Sequence, residues 1–281
     1  SRTAETAAST SSIVAIPDGT LALCGTTSEQ GTTCRIAIYA GQNEEITQVS
    51  VDELDFSAAA QGFIDFSGNL TNPYVEARLN HNGDKIAVLY RNSSYIIAMW
   101  IYDIPSRSFG DPVDLGQIGT TYNYAYEDDA IFWDGSGKIG VLMQDAVDEF
   151  QSYKGPAIHW FYLASDTPVY DHTDFLFDTD PYDYRLFSEP GVLNAADGDA
   201  YVPYVIWDNG QNPDTTMRLV PAAYSGLGAH ITLNFDASAI ANNGFTRKIA
   251  AVPIGDDGSS REYIALTSAN DSAGQFGVYG F

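Results

Sequence analysis

One weak internal repeat constrains the fold of this 281-residue chain more than any other feature. Five times, a short apolar strand runs into a glycine-containing turn, and a second, more apolar strand follows. Asp-Gly and Asn-Gly sequences favour tight hairpins, because such turns need residues that tolerate positive φ. The turn glycines recur at intervals of 52 to 64 residues, at Gly19, Gly83, Gly135, Gly198 and Gly258.

Further strand-like segments follow each turn, which makes three or four strands in every repeat. Antiparallel strands repeated at this spacing are typical of β-propeller blades. The sequence therefore predicts an all-β fold, a five-bladed β-propeller that forms one domain over 1–281. The alternative is a two-sheet sandwich or a pair of sandwiches, whose strands are not expected to recur so evenly. The predicted blades cover 12–54, 74–118, 129–177, 190–236 and 247–281.

The fifth predicted blade ends on its third strand, so a closed ring needs its outer strand from elsewhere. The N-terminal segment 3–10 is the available donor and would connect the first blade to the last. The alternative for this segment is a frayed tail.

The charge balance excludes several classes of partner. The chain has 13 basic and 37 acidic side chains, a formal charge of -24. Such a surface repels phosphate backbones and anionic lipids, so we expect neither nucleic acid nor a membrane as partner. No apolar run approaches the roughly 20 residues that span a bilayer. The charge serves solubility or, alternatively, attracts a cationic ligand; the oligomeric state is not indicated.

Cysteines and glycosylation sequons predict a secreted protein. Cys24 and Cys34 flank a turn-rich loop between two apolar strands, where they could face each other as a hairpin disulfide. A disulfide implies an oxidising compartment. Three Asn-X-Ser/Thr sequons are compatible with glycosylation on a secretory route. They begin at Asn69, Asn92 and Asn270.

The segments leading into the first strands of the blades should converge at one face of a propeller. In four of them an aromatic residue is followed two positions later by a charged one. Tyr74 and Tyr126 lie at the same offset, nine residues before Gly83 and Gly135. The four pairs are Tyr74 with Glu76, Tyr126 with Asp128, Phe187 with Glu189, and Phe245 with Arg247.

Carboxylates held close in a partly desolvated channel have pKa values driven apart, so that one acts as a base or nucleophile and another as an acid. Aromatic rims suit stacking against sugar rings or flat organic ligands. The competing interpretation is that the acids are solvated loop residues and the aromatics pack between blades. The catalytic candidates are Glu76, Asp128, Asp129, Glu189 and Arg247. The substrate-binding candidates are Tyr74, Tyr124, Tyr126, Tyr184, Phe187 and Phe245.

No cofactor is indicated by a motif. The acidic loop Asp171–Asp183 could hold calcium through carboxylate oxygens, although a solvated loop explains the same residues. The four histidines lack metal-ligand spacing, and His159, beside Trp160 in an apolar strand, is interpreted as a packed core histidine. No phosphate-binding glycine loop, Gly-X-Ser-X-Gly elbow or Cys-X-X-Cys pair is found.

Strands 13–16 and 248–252, each running into a glycine turn, resemble the blade openings of fungal propeller lectins of the fucose-binding type. The likeness lies in pattern and extends over most of the chain. It implies a propeller whose sugar sites are formed by Arg, Glu and an aromatic residue between blades. Related secreted fungal propellers catalyse cofactor-free cyclisations. These features together predict a secreted propeller with one central pocket. We expect it to be a cofactor-independent enzyme of hydrolase or cyclase type that acts on a carbohydrate or a small natural product. The alternative is a carbohydrate-binding propeller lectin.

Overall fold

The computed structural model describes fourteen stretches of the chain. Within them every regular element is a β-strand and no helix occurs, which confirms the all-β prediction. Accordingly, no helix in these stretches is long and apolar enough to cross a bilayer. The stretches are 9–26, 33–42, 45–55, 74–91, 96–115, 130–147, 153–176, 184–186, 193–194, 200–208, 212–233, 245–254, 260–268 and 276–280.

The described strands form five separate sheets, each built from strands that are consecutive or nearly so in the chain. Every strand pair whose register is described is antiparallel. The first sheet, in the order β1-β2-β3-β4, contains β1 (Ser9–Ala15), β2 (Thr20–Thr26), β3 (Thr33–Gln42) and β4 (Glu45–Asp55). The second contains β5 (Tyr74–Leu79), β6 (Lys85–Arg91), β7 (Ile96–Asp103), β8 (Ser108–Phe109) and β9 (Val113–Asp114), the last two both paired with β7.

The remaining three sheets follow one after another along the chain. The third contains β10 (Ile131–Trp133), β11 (Ile139–Val147), β12 (Tyr153–Ala164) and β13 (Thr167–Phe175). The fourth contains β14 (Tyr184–Leu186), β15 (Leu193–Asn194), β16 (Ala200–Asp208), β17 (Asn212–Ala223), β18 (Gly226–Leu227) and β19 (Ile231–Leu233). The fifth contains β20 (Phe245–Ile254), β21 (Ser260–Ser268) and β22 (Phe276–Gly280).

The chain divides into two compact units. The first comprises Ser1–Ala125 and Phe161–Asp171; the second comprises Tyr126–Trp160 and His172–Phe281. The first unit therefore holds the first two sheets and the tip of the β12–β13 hairpin. The second unit holds the rest of the third sheet together with the fourth and fifth.

In the first unit, the first two sheets pack face to face. Alternate residues of each strand point into one apolar cluster, as the period of two in a β-strand requires. Residues of the first sheet in this cluster include Cys24 and Ile36, and those of the second include Val88 and Trp100, all 0% exposed. The opposite face of the second sheet is buried as well, since Leu89 and its neighbours Ala87, Met99 and Ile101 are also 0% exposed.

In the second unit, the third and fourth sheets pack face to face in the same way. Their shared cluster includes Phe132, Trp160 and Val220. Phe132 lies opposite Gly140 on β11. A Cβ atom at Gly140 would overlap the tip of the Phe132 ring, so the missing side chain is what allows this ring to lie against β11.

The β1–β2, β5–β6 and β10–β11 turns share one hydrogen-bond pattern. The amide of a positive-φ glycine donates to the carbonyl three residues earlier, from Gly19 to Ile16, Gly83 to Asn80 and Gly137 to Asp134. These are hairpin loops of three or four residues that place glycine in the left-handed region. Gly135 lies in the third turn, as predicted, and the positive φ of 78° belongs to Gly137, two positions further along.

In the second sheet, β8 and β9 both pair with β7, and Pro112, which has no amide to donate to a strand pair, lies between them. Ser9 and Thr10, expected in a strand that closes the ring, pair with Thr26 and Gly25 inside the first sheet, and the rest of 3–10 lies outside the described residues. Gly198, Gly258 and the sequons at Asn69, Asn92 and Asn270 also lie outside them.

The predicted disulfide is absent, because Cys24 and Cys34 are both free thiols. The register pairs Cys34 with Thr26 and Cys24 with Ile36, so the two cysteines are diagonal neighbours on one face rather than direct partners. Diagonal neighbours lie farther apart than the directly opposed residues that a disulfide bridges most easily. Burial raises the pKa of Cys24 to about 12 and the pKa of Cys34 well above its ordinary value, which makes both thiols poor nucleophiles.

Candidate functional site

Glu76 is a buried carboxylate on the first strand of the second sheet. Its neighbours Val75 and Ala77 point into the cluster between the first two sheets, so the pleat turns Glu76 to the other face. Only 3% of the residue is exposed. Glutamates are almost never this buried unless they are paired or used in a site.

Arg78 lies two positions further along β5, on the same face as Glu76. Its Nη2 atom is 3.6 Å from Oε1 of Glu76, and its Nη1 atom donates a hydrogen bond of 3.2 Å to the Ala77 carbonyl. The Arg78 side chain is 30% exposed. On β6, Leu89 lies opposite Glu76 and Ala87 lies opposite Arg78. Both β6 residues are fully buried, so the ion pair has apolar side chains beside it. The pair therefore joins a buried anion to a cation that reaches solvent.

The other predicted catalytic residues are only partly placed. Asp128, Asp129 and Glu189 lie outside the described residues. Arg247 belongs to β20, and the register shifts there between Thr246 and Lys248, so Arg247 is the extra residue of a β-bulge. Bulges re-aim side chains and are frequent beside active sites. The Arg247 side chain itself is not among those described.

Three of the predicted aromatic residues start a strand. Tyr74 is the first residue of β5, Tyr184 of β14 and Phe245 of β20. Their backbones pair with Arg91, Ile206 and Ser268, respectively. Each of the three therefore begins the first strand of its sheet. Tyr124, Tyr126 and Phe187 lie outside the described residues.

A second group of polar and aromatic side chains was missed at the sequence level. It lies in the second unit and consists of Lys138, Trp160, His172, Asp174 and Tyr224, which we call the seam cluster. Trp160 is 0% exposed, and its indole N–H donates a hydrogen bond of 2.9 Å to Oδ2 of Asp174. The one available signal was the alternation of His172 and Asp174 on a single strand, which places both on one face.

Two rings of the seam cluster, those of Trp160 and His172, contact Tyr224, which lies in the β17–β18 turn. The centroid of the His172 ring is 5.2 Å from that of Tyr224, and the centroid of Trp160 is 6.0 Å away in an edge-to-face arrangement. The Nζ atom of Lys138 lies 5.3 Å from the Tyr224 centroid, within the range of a cation–π contact. The cluster therefore combines aromatic rings with one cation and one anion.

Asp134 holds two parts of the seam cluster in place. It is 4% exposed and caps the β10–β11 turn, where Oδ1 accepts the amide of Lys138 at 2.8 Å. Its Oδ2 atom accepts the amide of Tyr224, from the neighbouring sheet, at 3.0 Å. One buried carboxylate thus fixes the backbone of both residues.

Two ionic links connect elements of the first unit. Asp52 on β4 accepts the phenol of Tyr102 at 2.6 Å and a bidentate contact from Arg107. Burial acts to raise the pKa of Asp52, but hydrogen bonds from Arg107 and Tyr102 hold it below its ordinary value. Lys85 bridges Asp103 at 2.8 Å and Asp166 at 2.5 Å.

Among the described residues, no group of three or more His, Cys, Asp or Glu side chains is arranged to hold a metal ion. Asp174, in the acidic segment that could hold calcium, accepts the Trp160 indole N–H through Oδ2. Asp178, Asp180 and Asp183 lie outside the described residues.

No protein-family model and no curated protein sequence matches the chain. Solved structures are similar only distantly. A mutant of AofleA from Arthrobotrys oligospora is 10% identical, with 96% of this chain and 67% of that chain covered and a TM-score of 0.47. For a xylan beta-1,4-xylosidase from Bacillus halodurans these values are 13%, 96%, 52% and 0.41, and for an ulvan lyase 9%, 95%, 63% and 0.49.

All three TM-scores are below 0.5, and the chain spans about half to two thirds of the length of these proteins. These similarities show neither an activity nor a ligand of this chain.

Proposed function

We propose that the five sheets are the blades of a β-propeller. The support is their order: each sheet is made of consecutive strands, the first and second sheets share one apolar cluster, and the third and fourth share another. The second sheet is buried on both faces, as expected for a blade between two others. Closure of the ring by the segment before Ser9 stays a prediction.

We propose further that the protein is a cofactor-independent enzyme acting on a carbohydrate or a small natural product, with Glu76 as its acid/base group. The observation that supports it is the burial of Glu76. Keeping a carboxylate 3% exposed costs desolvation energy that a nonpolar side chain would not incur. Ionisable groups that are desolvated and lie beside a specific charge partner are candidates for functional sites.

In the proposed mechanism each of these residues has one role. Glu76 accepts a proton from a substrate hydroxyl, or returns one to a leaving group, in surroundings from which water is largely excluded. Arg78, which reaches solvent, stabilises negative charge that develops on the substrate. In a propeller, Tyr74, Tyr184 and Phe245 share one end of their first strands, where aromatic rings suit sugar stacking.

The test replaces Glu76 by Gln and measures turnover on a panel of p-nitrophenyl glycosides and dye-linked polysaccharides. We expect Glu76→Gln to lower kcat by about 100-fold or more on any substrate that the wild type cleaves, with an unchanged circular dichroism spectrum. The matched control is Glu53→Gln, which alters an exposed carboxylate paired with Arg35 and should leave kcat unchanged. Equal kcat for Glu76→Gln and the wild type would remove Glu76 from the mechanism.

The alternative function is a lectin with repeated sites, and ligand stoichiometry separates the two. An enzyme binds one substrate analogue per chain in its catalytic pocket, whereas a lectin binds several identical sugars at repeated, equivalent sites. Equivalent positions in three turns hold Ile16, Asn80 and Asp134, and this divergence does not favour identical repeated sites. Titration calorimetry with a non-cleavable sugar analogue gives the number directly.

Secretion also stays a prediction, supported by the sequence and not by a disulfide.

The partner we propose is a sugar or another small molecule. No cofactor is part of the proposed chemistry.

A further inference from the structure

Asp174 of the seam cluster has one carboxylate oxygen fixed and the other open. Oδ2 accepts the Trp160 indole at 2.9 Å and lies 3.7 Å from Nε2 of His172. Oδ1 makes no hydrogen bond to any described residue, and the side chain is 24% exposed. The open oxygen is therefore oriented by Trp160 and available to a hydroxyl donor.

The surroundings of Asp174 offer apolar ring surface beside the carboxylate. The side chain of His172 is 36% exposed, and the Tyr224 ring is half-buried. The ring of the wholly buried Trp160 contacts both of them, with centroid distances of 6.4 Å to His172 and 6.0 Å to Tyr224. Aromatic rings of this kind pack against the C–H faces of sugars.

The arrangement is held in place before any ligand arrives. Asp134 fixes the amides of Lys138 and Tyr224, and Trp160 fixes Asp174. A site whose groups are already ordered loses less conformational entropy on binding.

We propose that the seam cluster is a second ligand site, which binds a neutral polyhydroxylated ligand such as a monosaccharide unit. Asp174 accepts hydroxyl protons, Lys138 donates to hydroxyl oxygens, and Tyr224 and His172 contact the ring face. Since the two charged groups have opposite signs, they favour a neutral ligand over an ionic one. All residues of this site belong to the second unit, whereas Glu76 belongs to the first.

The test follows the Trp160 indole N–H by ¹H–¹⁵N NMR, with its resonance assigned by Trp160→Phe. Methyl glycosides of glucose, galactose, mannose, fucose and N-acetylglucosamine are titrated into the full chain. We expect at least one glycoside to shift this resonance saturably, with a Kd in the millimolar range. Absence of a saturable shift with all five, up to about 100 mM, overturns the proposal.

Asp174→Asn distinguishes the site from a general effect on the indole. The amide oxygen still accepts the Trp160 N–H, but hydrogen bonds to the carboxylate are lost, so we expect affinity to fall by about 10-fold or more. The matched control is Asp171→Asn, an exposed neighbour on the opposite face of β13, which should leave affinity unchanged. Equal affinities of Asp174→Asn and the wild type overturn the proposal. Glu76→Gln should bind the glycoside normally, so failure of this site and failure of the proposed enzyme are separable.

Discussion

At the scale of single residues, burial changes the pKa of one histidine, His159 on β12. It is 2% exposed, and its Nδ1 atom lies 2.6 Å from the Thr173 hydroxyl. Burial lowers the pKa of His159 from 6.5 to about 4. The sequence had indicated a packed histidine here, and the burial confirms it.

His159 should make stability depend on pH between about 4 and 6.5. Within this window the unfolded chain binds a proton that the folded chain excludes, so the free energy of unfolding falls as pH falls. The slope is about 1.4 kcal/mol per pH unit, or about 3 kcal/mol over the window. Urea unfolding of the wild type and His159→Asn from pH 4 to 7.5 measures it, and the variant should lose this part of the slope.

The matched control for this measurement is His81→Asn, in the exposed β5–β6 turn. It should leave the slope unchanged. Identical slopes for the wild type and His159→Asn would mean that the buried imidazole is not excluded from protonation.

At the scale of elements, the contact between β10 and β11 depends on a missing side chain. Gly140 allows the Phe132 ring to lie against β11, where it also packs edge-to-face on Trp160 at 5.4 Å. This ring lies in the cluster shared by the third and fourth sheets. The hairpin and the packing of two sheets therefore depend on the same glycine.

Gly140→Ala should destabilise the protein by about 1–3 kcal/mol, because the added methyl group displaces the Phe132 ring from a close-packed position. Chemical denaturation at constant pH measures the loss. Phe132→Leu in the Gly140→Ala background should recover part of it, since the smaller side chain makes room for the methyl group. A double variant no more stable than Gly140→Ala alone would contradict this packing account.

At the scale of the whole molecule, the dominant electrostatic feature is the charge of -24. Salt weakens ion pairs such as Lys85 with Asp166, but it also screens repulsion among the 37 acidic side chains. Surface pairs contribute only about 0–1 kcal/mol each. Screening of the repulsion should therefore outweigh the loss of pairs.

Raising NaCl from 0.05 to 0.5 M at pH 7 should increase the melting temperature, because the screening length shortens as salt is added. The control is the same comparison near pH 4.1, the isoelectric point, where the net charge vanishes and the increase should disappear. A melting temperature that falls with salt at pH 7 would show that ion pairs dominate. Scanning calorimetry provides the values.

The sequence by itself determined the local elements. Alternating apolar residues and glycine turns predicted strands such as 85–90, observed as β6 (Lys85–Arg91), because hydrophobic period and turn chemistry act over a few residues. It also singled out Glu76, whose spacing from an aromatic residue and a turn could be read directly. It could not tell which glycine of Asp134-Gly135-Ser136-Gly137 takes positive φ, since both satisfy the turn rules.

Only the tertiary structure decided which distant residues meet. Whether Cys24 and Cys34 face each other depends on the register between β2 and β3, and the positions of the cysteines alone do not specify that register. In the structure the register makes the two cysteines diagonal neighbours. The seam cluster joins residues from 138 to 224, and its anchor, Asp134, bonds a turn 90 positions away. Such contacts follow from how sheets pack against each other, and packing depends on the shapes of whole faces rather than on any short stretch of sequence.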